Sequence, residues 1–386
     1  MNAALTLFEF STAGRIVFGA GSLEGAGESA STMGRRALVV TGQSSERAQR
    51  LLDLLERSGV AATRFTVPCE PTIDLIRRGV QQGREGRVEL VIGIGGGSSV
   101  DAAKAIGLLF AQRGDTLDYL EVIGRGQPMA GPGLPVIAIP TTAGTGSEVT
   151  RNAVLASPEH GVKVSLRSPW LLPRLAIVDP ELTYAAPTEI SGRCGFDALA
   201  QLVEPFLSIR ANPLTDALCR EGIRRVARSL RRAAFDDDAS ARADMAVAAL
   251  FSGMALANAA LGIIHGLASV IGGLLPAPHG GICARLLPPA MKANLSAMRL
   301  RQADHPALDR LAELGDMLAA DRRPEAAVEW SQHLVDDLGL PRLSQYGLTE
   351  AMLPKVVQGS ARASSTRGNP IPLLEDEVTS ILREAL

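Results

Sequence analysis

Glu89-Leu90-Val91-Ile92-Gly93-Ile94 runs without a break into Gly95-Gly96-Gly97-Ser98-Ser99-Val100-Asp101-Ala102-Ala103-Lys104-Ala105-Ile106. The order is a strand, a tight turn and a helix. An apolar run with no polar alternation is a strand buried on both faces, which belongs to a parallel sheet covered by helices. Three consecutive glycines let the backbone approach a ligand closely. The Ser-Ser pair then opens a helix whose free N–H groups and dipole favour an anion. A pyrophosphate is the natural guest. The spacing departs from the G-x-G-x-x-G fingerprint, and a plain tight turn is the alternative reading.

Working outward, Arg36-Ala37-Leu38-Val39-Val40-Thr41 and Pro135-Val136-Ile137-Ala138-Ile139-Pro140 read as two more strands. Ser45 to Arg57 and Ile73 to Gly83 carry apolar residues at helical spacing. Strands alternating with helices predict an α/β domain with a parallel sheet. A polar cluster, Pro140-Thr141-Thr142-Ala143-Gly144-Thr145-Gly146-Ser147-Glu148, follows the 135–140 strand. It sits at the carboxyl end of a parallel strand, where open α/β sheets bind ligands. After about Pro187 the β signal disappears, and Pro213 to Ala234 and Ala239 to Ala260 read as long helices. Asp236-Asp237-Asp238 reads as a solvated turn and helix start. The division expected is residues 1–185 for the α/β domain and 186–386 for an all-α C-terminal domain.

At 386 residues, two domains are the default expectation. Hydrophobic content of 46% with 21% charged residues describes a folded globular chain, and a net charge of −2 argues against a nucleic-acid partner. No apolar run approaches the roughly 20 residues of a membrane span, and no signal peptide is evident. Cys69, Cys194, Cys219 and Cys283 lack CxxC spacing and read as free thiols in a reducing, cytoplasmic setting.

Two of the five histidines lie in one apolar, glycine-rich stretch from Leu261 to Gly281. Gly and Pro between His265 and His279 break any single helix, so the two rings are free to converge from separate segments. An unpaired buried imidazole costs roughly 1–3 kcal/mol, so each needs a partner. Two core histidines bonded to carbonyls is one reading. The other joins them to Asp197, in Gly195-Phe196-Asp197-Ala198-Leu199-Ala200-Gln201. One carboxylate and two imidazoles suit Fe²⁺ or Zn²⁺.

The Gly-Gly-Gly-Ser-Ser-Val-Asp-Ala-Ala-Lys segment, the Pro-Thr-Thr-Ala-Gly-Thr-Gly-Ser-Glu segment, Val178-Asp179-Pro180-Glu181-Leu182 and the histidine stretch together resemble the iron-containing (group III) alcohol dehydrogenase family. The resemblance covers nearly the whole chain. It implies a dinucleotide-binding N-terminal domain and a helical, metal-bearing C-terminal domain, the dehydroquinate synthase-like architecture, with a cleft between them. It implies an alcohol dehydrogenase or carbonyl reductase that interconverts an alcohol and an aldehyde or ketone with NAD or NADP, acting as a homodimer.

By that resemblance the metal ligands are Asp197, His265 and His279. The family's third histidine, four residues after the Asp, is Gln201 here, whose amide oxygen is expected to face the ion. A further family histidine, four residues after His265, is Ser269. Gly96, Gly97, Ser98 and Asp101 should touch the pyrophosphate or nicotinamide region. Thr141, Thr142, Thr145 and Ser147 should line the cofactor groove, and Lys163 should reach the nicotinamide end and join His265 and His279 in catalysis. Where the family often carries an acidic residue after the second-strand position, this chain has Gly42, then Gln43, Ser44 and Ser45, so NADP(H) should be used at least as well as NAD(H). Two other readings stand beside this one. The first is a metal-independent reductase like the maleylacetate reductases, and the second is a cofactor-binding protein with little turnover. Arg151 and Arg167 weakly suggest an anionic substrate.

Overall fold

A computed structural model describes residues 7–43, 45–184 and 186–386. Ser44 and the expected boundary residue Ala185 lie outside the described residues. Six parallel strands form the main sheet: β1 (Ile16–Phe18), β2 (Arg36–Thr41), β3 (Ala61–Thr66), β4 (Leu90–Gly95), β5 (Val136–Pro140) and β8 (Leu175–Val178), in the order β1-β8-β5-β4-β2-β3. The apolar run read first is the middle of this sheet, with Ile92 level with Val39 of β2 and Ile137 of β5. Leu90, Val91 and Ile92 are wholly buried, as a strand covered on both faces requires.

Helices α1 (Ala26–Ser31), α2 (Ser45–Arg57), α3 (Ile73–Glu85), α4 (Gly97–Phe110) and α5 (Thr116–Tyr119) accompany the sheet. A separate antiparallel hairpin, β6 (Asn152–Ser157) and β7 (Val162–Arg167), interrupts the alternation. Gly95 at the end of β4 pairs with Pro140 at the end of β5, so the glycine turn and the threonine-rich loop leave the sheet side by side.

From Thr188 onward the chain is helical: α6 (Thr188–Leu207), α7 (Pro213–Phe235), α8 (Ala239–Ala259), α9 (Ile263–Leu274), α10 (His279–Arg301), α11 (Ala307–Ala319), α12 (Pro324–Asp337), α13 (Leu353–Arg362) and α14 (Glu375–Ala385). The aspartate run ends as a cap, with the Asp238 carboxylate accepting from the Ala241 N–H at the start of α8. Helix α6 is buried from Gly195 to Leu207 and packs against α7, α8 and α10. Between α8 and α9 the chain bends by 100° at Ala260, whose φ of 62° and ψ of 175° lie in a region otherwise left to glycine. Among the described residues, no single helix is long and apolar enough to cross a membrane.

Candidate active site

Three helices deliver four donor atoms to one point. Asp197 lies in the middle of α6, His265 is the third residue of α9, and His279 is the first residue of α10. The approach of α10 to α6 depends on Gly280, where a Cβ would sit 2.2 Å from the Arg193 carbonyl oxygen. His265 Nε2 and His279 Nε2 are each 3.6 Å from Asp197 Oδ1. Cys283, one turn after His279 on the same face of α10, places Sγ 3.6 Å from His279 Nε2 and 3.9 Å from His265 Nε2. All four donors lie within 4.8 Å of one another.

These separations suit a metal ion. In a tetrahedral shell with a metal–sulfur bond of about 2.3 Å and metal–nitrogen bonds of about 2.0–2.1 Å, sulfur and nitrogen stand about 3.5 Å apart and nitrogen and oxygen about 3.3 Å. The observed spacings exceed these by a few tenths of an ångström, within reach of side-chain adjustment.

Neighbouring groups hold the donors in place. Glu204, on α6, accepts from the Ile264 N–H at 2.6 Å with Oε1 and meets His265 Nδ1 at 2.7 Å with Oε2. One carboxylate therefore caps α9 and leaves His265 Nε2 facing the cluster, the arrangement expected behind a ligating imidazole. Thr145 donates its hydroxyl to Asp197 Oδ2 at 3.2 Å. Burial alone would raise the Asp197 carboxyl, but the facing His279 and His265 charges and the Thr145 bond hold it below its usual value. Burial would likewise lower His265 and raise Cys283. The charges of Cys283 and Glu204 instead lift His265 well above its ordinary range, and the two imidazoles bring the thiol down. Donors that shift one another in these directions form the kind of set in which a dication can take the place of protons.

Gln201 does not offer its oxygen to this centre. Its amide nitrogen donates to Asp197 Oδ1 at 3.2 Å, and its carbonyl accepts from Ser252 Oγ at 3.1 Å. The carboxylate beside it faces the N–H end, so in this arrangement Gln201 bears on Asp197 through a hydrogen bond. Ser269 is also turned away, its hydroxyl donating to the Gly266 carbonyl at 2.8 Å.

The glycine turn is built to admit a ligand. Gly95 has φ of +150°, and a Cβ there would lie 2.5 Å from Ser99 Oγ, so only glycine fits. Gly96 caps α4 without a side chain, leaving the first-turn N–H groups of Gly97 and Ser98 to an incoming anion. A Cβ at Gly97 would sit 3.0 Å from Thr145 Oγ1, so one threonine touches both the turn and Asp197. Thr142 lies beside Gly96, and Thr141 and Thr142 line a groove with Ile190, Ser191, Cys194 and Arg242.

Asp101 and Ser147, expected at the cofactor, are placed differently. Asp101 accepts from Ser147 Oγ and, at 2.9 Å, from the Val154 N–H. The fully buried Lys104 ammonium donates to the Ser147 carbonyl and Thr150 Oγ1, both at 2.8 Å. These residues pin α4 to the threonine-rich loop and the hairpin, one layer beneath the groove. Lys163, on β7, pairs with Glu70 at 2.6 Å and lies against Gly272 of α9, outside the four-donor cluster. Arg151 and Arg167 are exposed at the open end of the hairpin.

Sequence reasoning missed Cys283 and Glu204. The i, i+4 spacing of His279 and Cys283 was the available signal for the first. Glu204 lies seven residues after Asp197, two turns along the same helix face.

Comparison with known proteins gives the same outline. Residues 13–180 match the family model described as iron-containing alcohol dehydrogenase, and residues 192–386 match its C-terminal counterpart. The 1,3-propanediol dehydrogenase of Klebsiella pneumoniae is 34% identical over 379 residues, covering 95% of this chain and 96% of that protein. The choline dehydrogenase of Bacillus subtilis is 31% identical, covering 93% and 90%. A crystal structure of a 1,3-propanediol oxidoreductase superposes with a TM-score of 0.92 at 31% identity, over 99% of this chain and 100% of that one. The sulfoacetaldehyde reductase of Bifidobacterium kashiwanohense, solved with NAD⁺, reaches 0.87 at 28% identity, over 98% and 99%. With matched models over both halves, a shared fold and a donor cluster that could hold a metal, this chain belongs to the iron-containing alcohol dehydrogenase family of nicotinamide-dependent oxidoreductases.

Proposed function

We propose that the enzyme transfers hydride reversibly between NADP(H) or NAD(H) and a small alcohol or its aldehyde, with a divalent ion held by Asp197, His265 and His279. The observation that carries this reading is the convergence of those donors at 3.6 Å, joined through Thr145 to the glycine turn. A bound nicotinamide carries the hydride. A bound divalent ion contributes Lewis acidity towards the substrate oxygen. The remaining work falls to the chain. The first turn of α4 receives the pyrophosphate, Thr141 and Thr142 border the groove, and Glu204 and Thr145 hold His265 and Asp197 in productive orientation. The relatives' names include 1,3-propanediol and choline dehydrogenases, which supports a short alcohol as the substrate class. The four cysteines are free, which supports a reducing, cytoplasmic setting.

The test is NAD(P)H oxidation over a panel of short aldehydes, before and after dialysis against a chelator. Activity is expected to disappear with the metal and return on adding a divalent ion. Full activity in metal-free protein would overturn this reading and favour a metal-independent reductase.

For the cofactor, two features support NADP(H). Gly42 brings no carboxylate to the end of β2, and Arg64 reaches the same edge, donating Nε–H to Thr41 Oγ1 at 3.0 Å. A guanidinium near this position accommodates a 2′-phosphate. A Cβ at position 42 would meet nothing closer than Ser99 Oγ at 3.7 Å, so the backbone there has room to start a side chain. Gly42→Asp should therefore move the NADPH-to-NADH ratio of kcat/KM towards NADH by about tenfold or more, tenfold being about 1.4 kcal/mol. A wild type that already prefers NADH strongly would count against the assignment.

A further inference from the structure

The donor set differs from the one the family resemblance implies. Where the family draws an i, i+4 pair from the helix bearing the aspartate, this chain keeps Asp197 there with Gln201 as its hydrogen-bond donor. The i, i+4 pair has moved to α10, as His279 and Cys283. Cys283 is buried, its sulfur reaches both imidazole Nε2 atoms, and its distances match a tetrahedral sulfur ligand.

We propose that Cys283 is the fourth metal ligand, so that the native ion is Zn²⁺ rather than the iron that names the family. This rests on the metal-assisted reading above and deepens it. A thiolate in place of an imidazole makes the shell softer and adds a negative charge. Soft donors shift a mixed nitrogen–oxygen site towards Zn²⁺, which accepts four protein ligands tetrahedrally without electronic penalty and would have to expand to a fifth position for the substrate oxygen. The shell, with two anionic and two neutral donors, neutralises a dication completely. A shell of one aspartate and three histidines leaves it with a net positive charge. Gln201 follows from the same exchange. With no imidazole on that turn of α6, the Gln201 amide N–H donates to Asp197 Oδ1, the carboxylate oxygen that also faces both imidazoles.

The experiment uses the full-length protein stripped with a chelator and reloaded with Co²⁺, an optical stand-in for Zn²⁺. Wild type should show a near-ultraviolet thiolate-to-cobalt charge-transfer band, and the near-isosteric Cys283→Ser should lose it. Because Asp197, His265 and His279 remain, Cys283→Ser should still bind Co²⁺, with Zn²⁺ affinity lower by about tenfold to a hundredfold or more. In direct competition, wild type should take Zn²⁺ over Fe²⁺, and Cys283→His should narrow that preference by at least about tenfold. Stoichiometric cobalt without the band in wild type, or a band surviving in Cys283→Ser, would overturn the ligand assignment while leaving metal-assisted catalysis intact. No metal uptake together with full aldehyde reduction by the stripped protein would instead bring down both.

Discussion

Asp197→Asn is expected to lower kcat/KM for aldehyde reduction by about a thousandfold while leaving dinucleotide affinity close to wild type. Asp197 is the carboxylate between the two imidazoles, with Oδ1 3.6 Å from each Nε2. Asparagine keeps the volume but removes the anionic ligand, and puts either a weak neutral oxygen or an N–H donor towards the ion. Loss of one preorganised electrostatic element of this kind costs about 10²–10³ in rate, and loss of the ion itself adds to that. The glycine turn is untouched apart from the Thr145 bond, so cofactor titration by fluorescence should report a Kd near wild type. A fall in kcat/KM of less than tenfold would remove Asp197 from the reacting centre.

Gly97→Val should give the complementary result, with cofactor affinity reduced about a hundredfold or more and metal content unchanged. The new Cβ would already stand 3.0 Å from Thr145 Oγ1, and the two methyl groups beyond it occupy the space between the turn and the threonine-rich loop. A hundredfold corresponds to about 2.8 kcal/mol, an ordinary outcome when a branched side chain displaces a phosphate from a helix N-terminus. Gly97 has no left-handed backbone requirement, so the fold should survive, as a circular dichroism spectrum like that of wild type would confirm. Unchanged affinity would move the pyrophosphate to another turn.

The parts of this molecule legible in its sequence are those with a strong local pattern. The β4 run, the glycine turn and the long amphipathic helices each declare themselves within a dozen residues, and His265 and His279 stand out by scarcity. Strand β3, Ala61–Thr66, was not distinguishable, because as an edge strand it is mostly exposed and its composition is that of a loop. Asp101 and Ser147 are a different case, because motif membership does not say which helix face a residue takes. Asp101 is on the side of α4 facing the hairpin, and only the three-dimensional neighbours reveal that its charge is matched by Lys104. The Gln201 amide carries both a donor and an acceptor, and its orientation here follows Asp197 and Ser252, which are not neighbours in sequence. Cys283 was overlooked because a single cysteine in an apolar helix has the composition of ordinary core.

The two oxygens of Glu204 do separate jobs, one fixing the start of α9 and the other holding Nδ1 of the His265 ring. A change that removes the carboxylate therefore alters a helix end and the setting of the His265 ring in the same stroke. Variation here is pleiotropic by construction, because the helix end and the imidazole share one carboxylate.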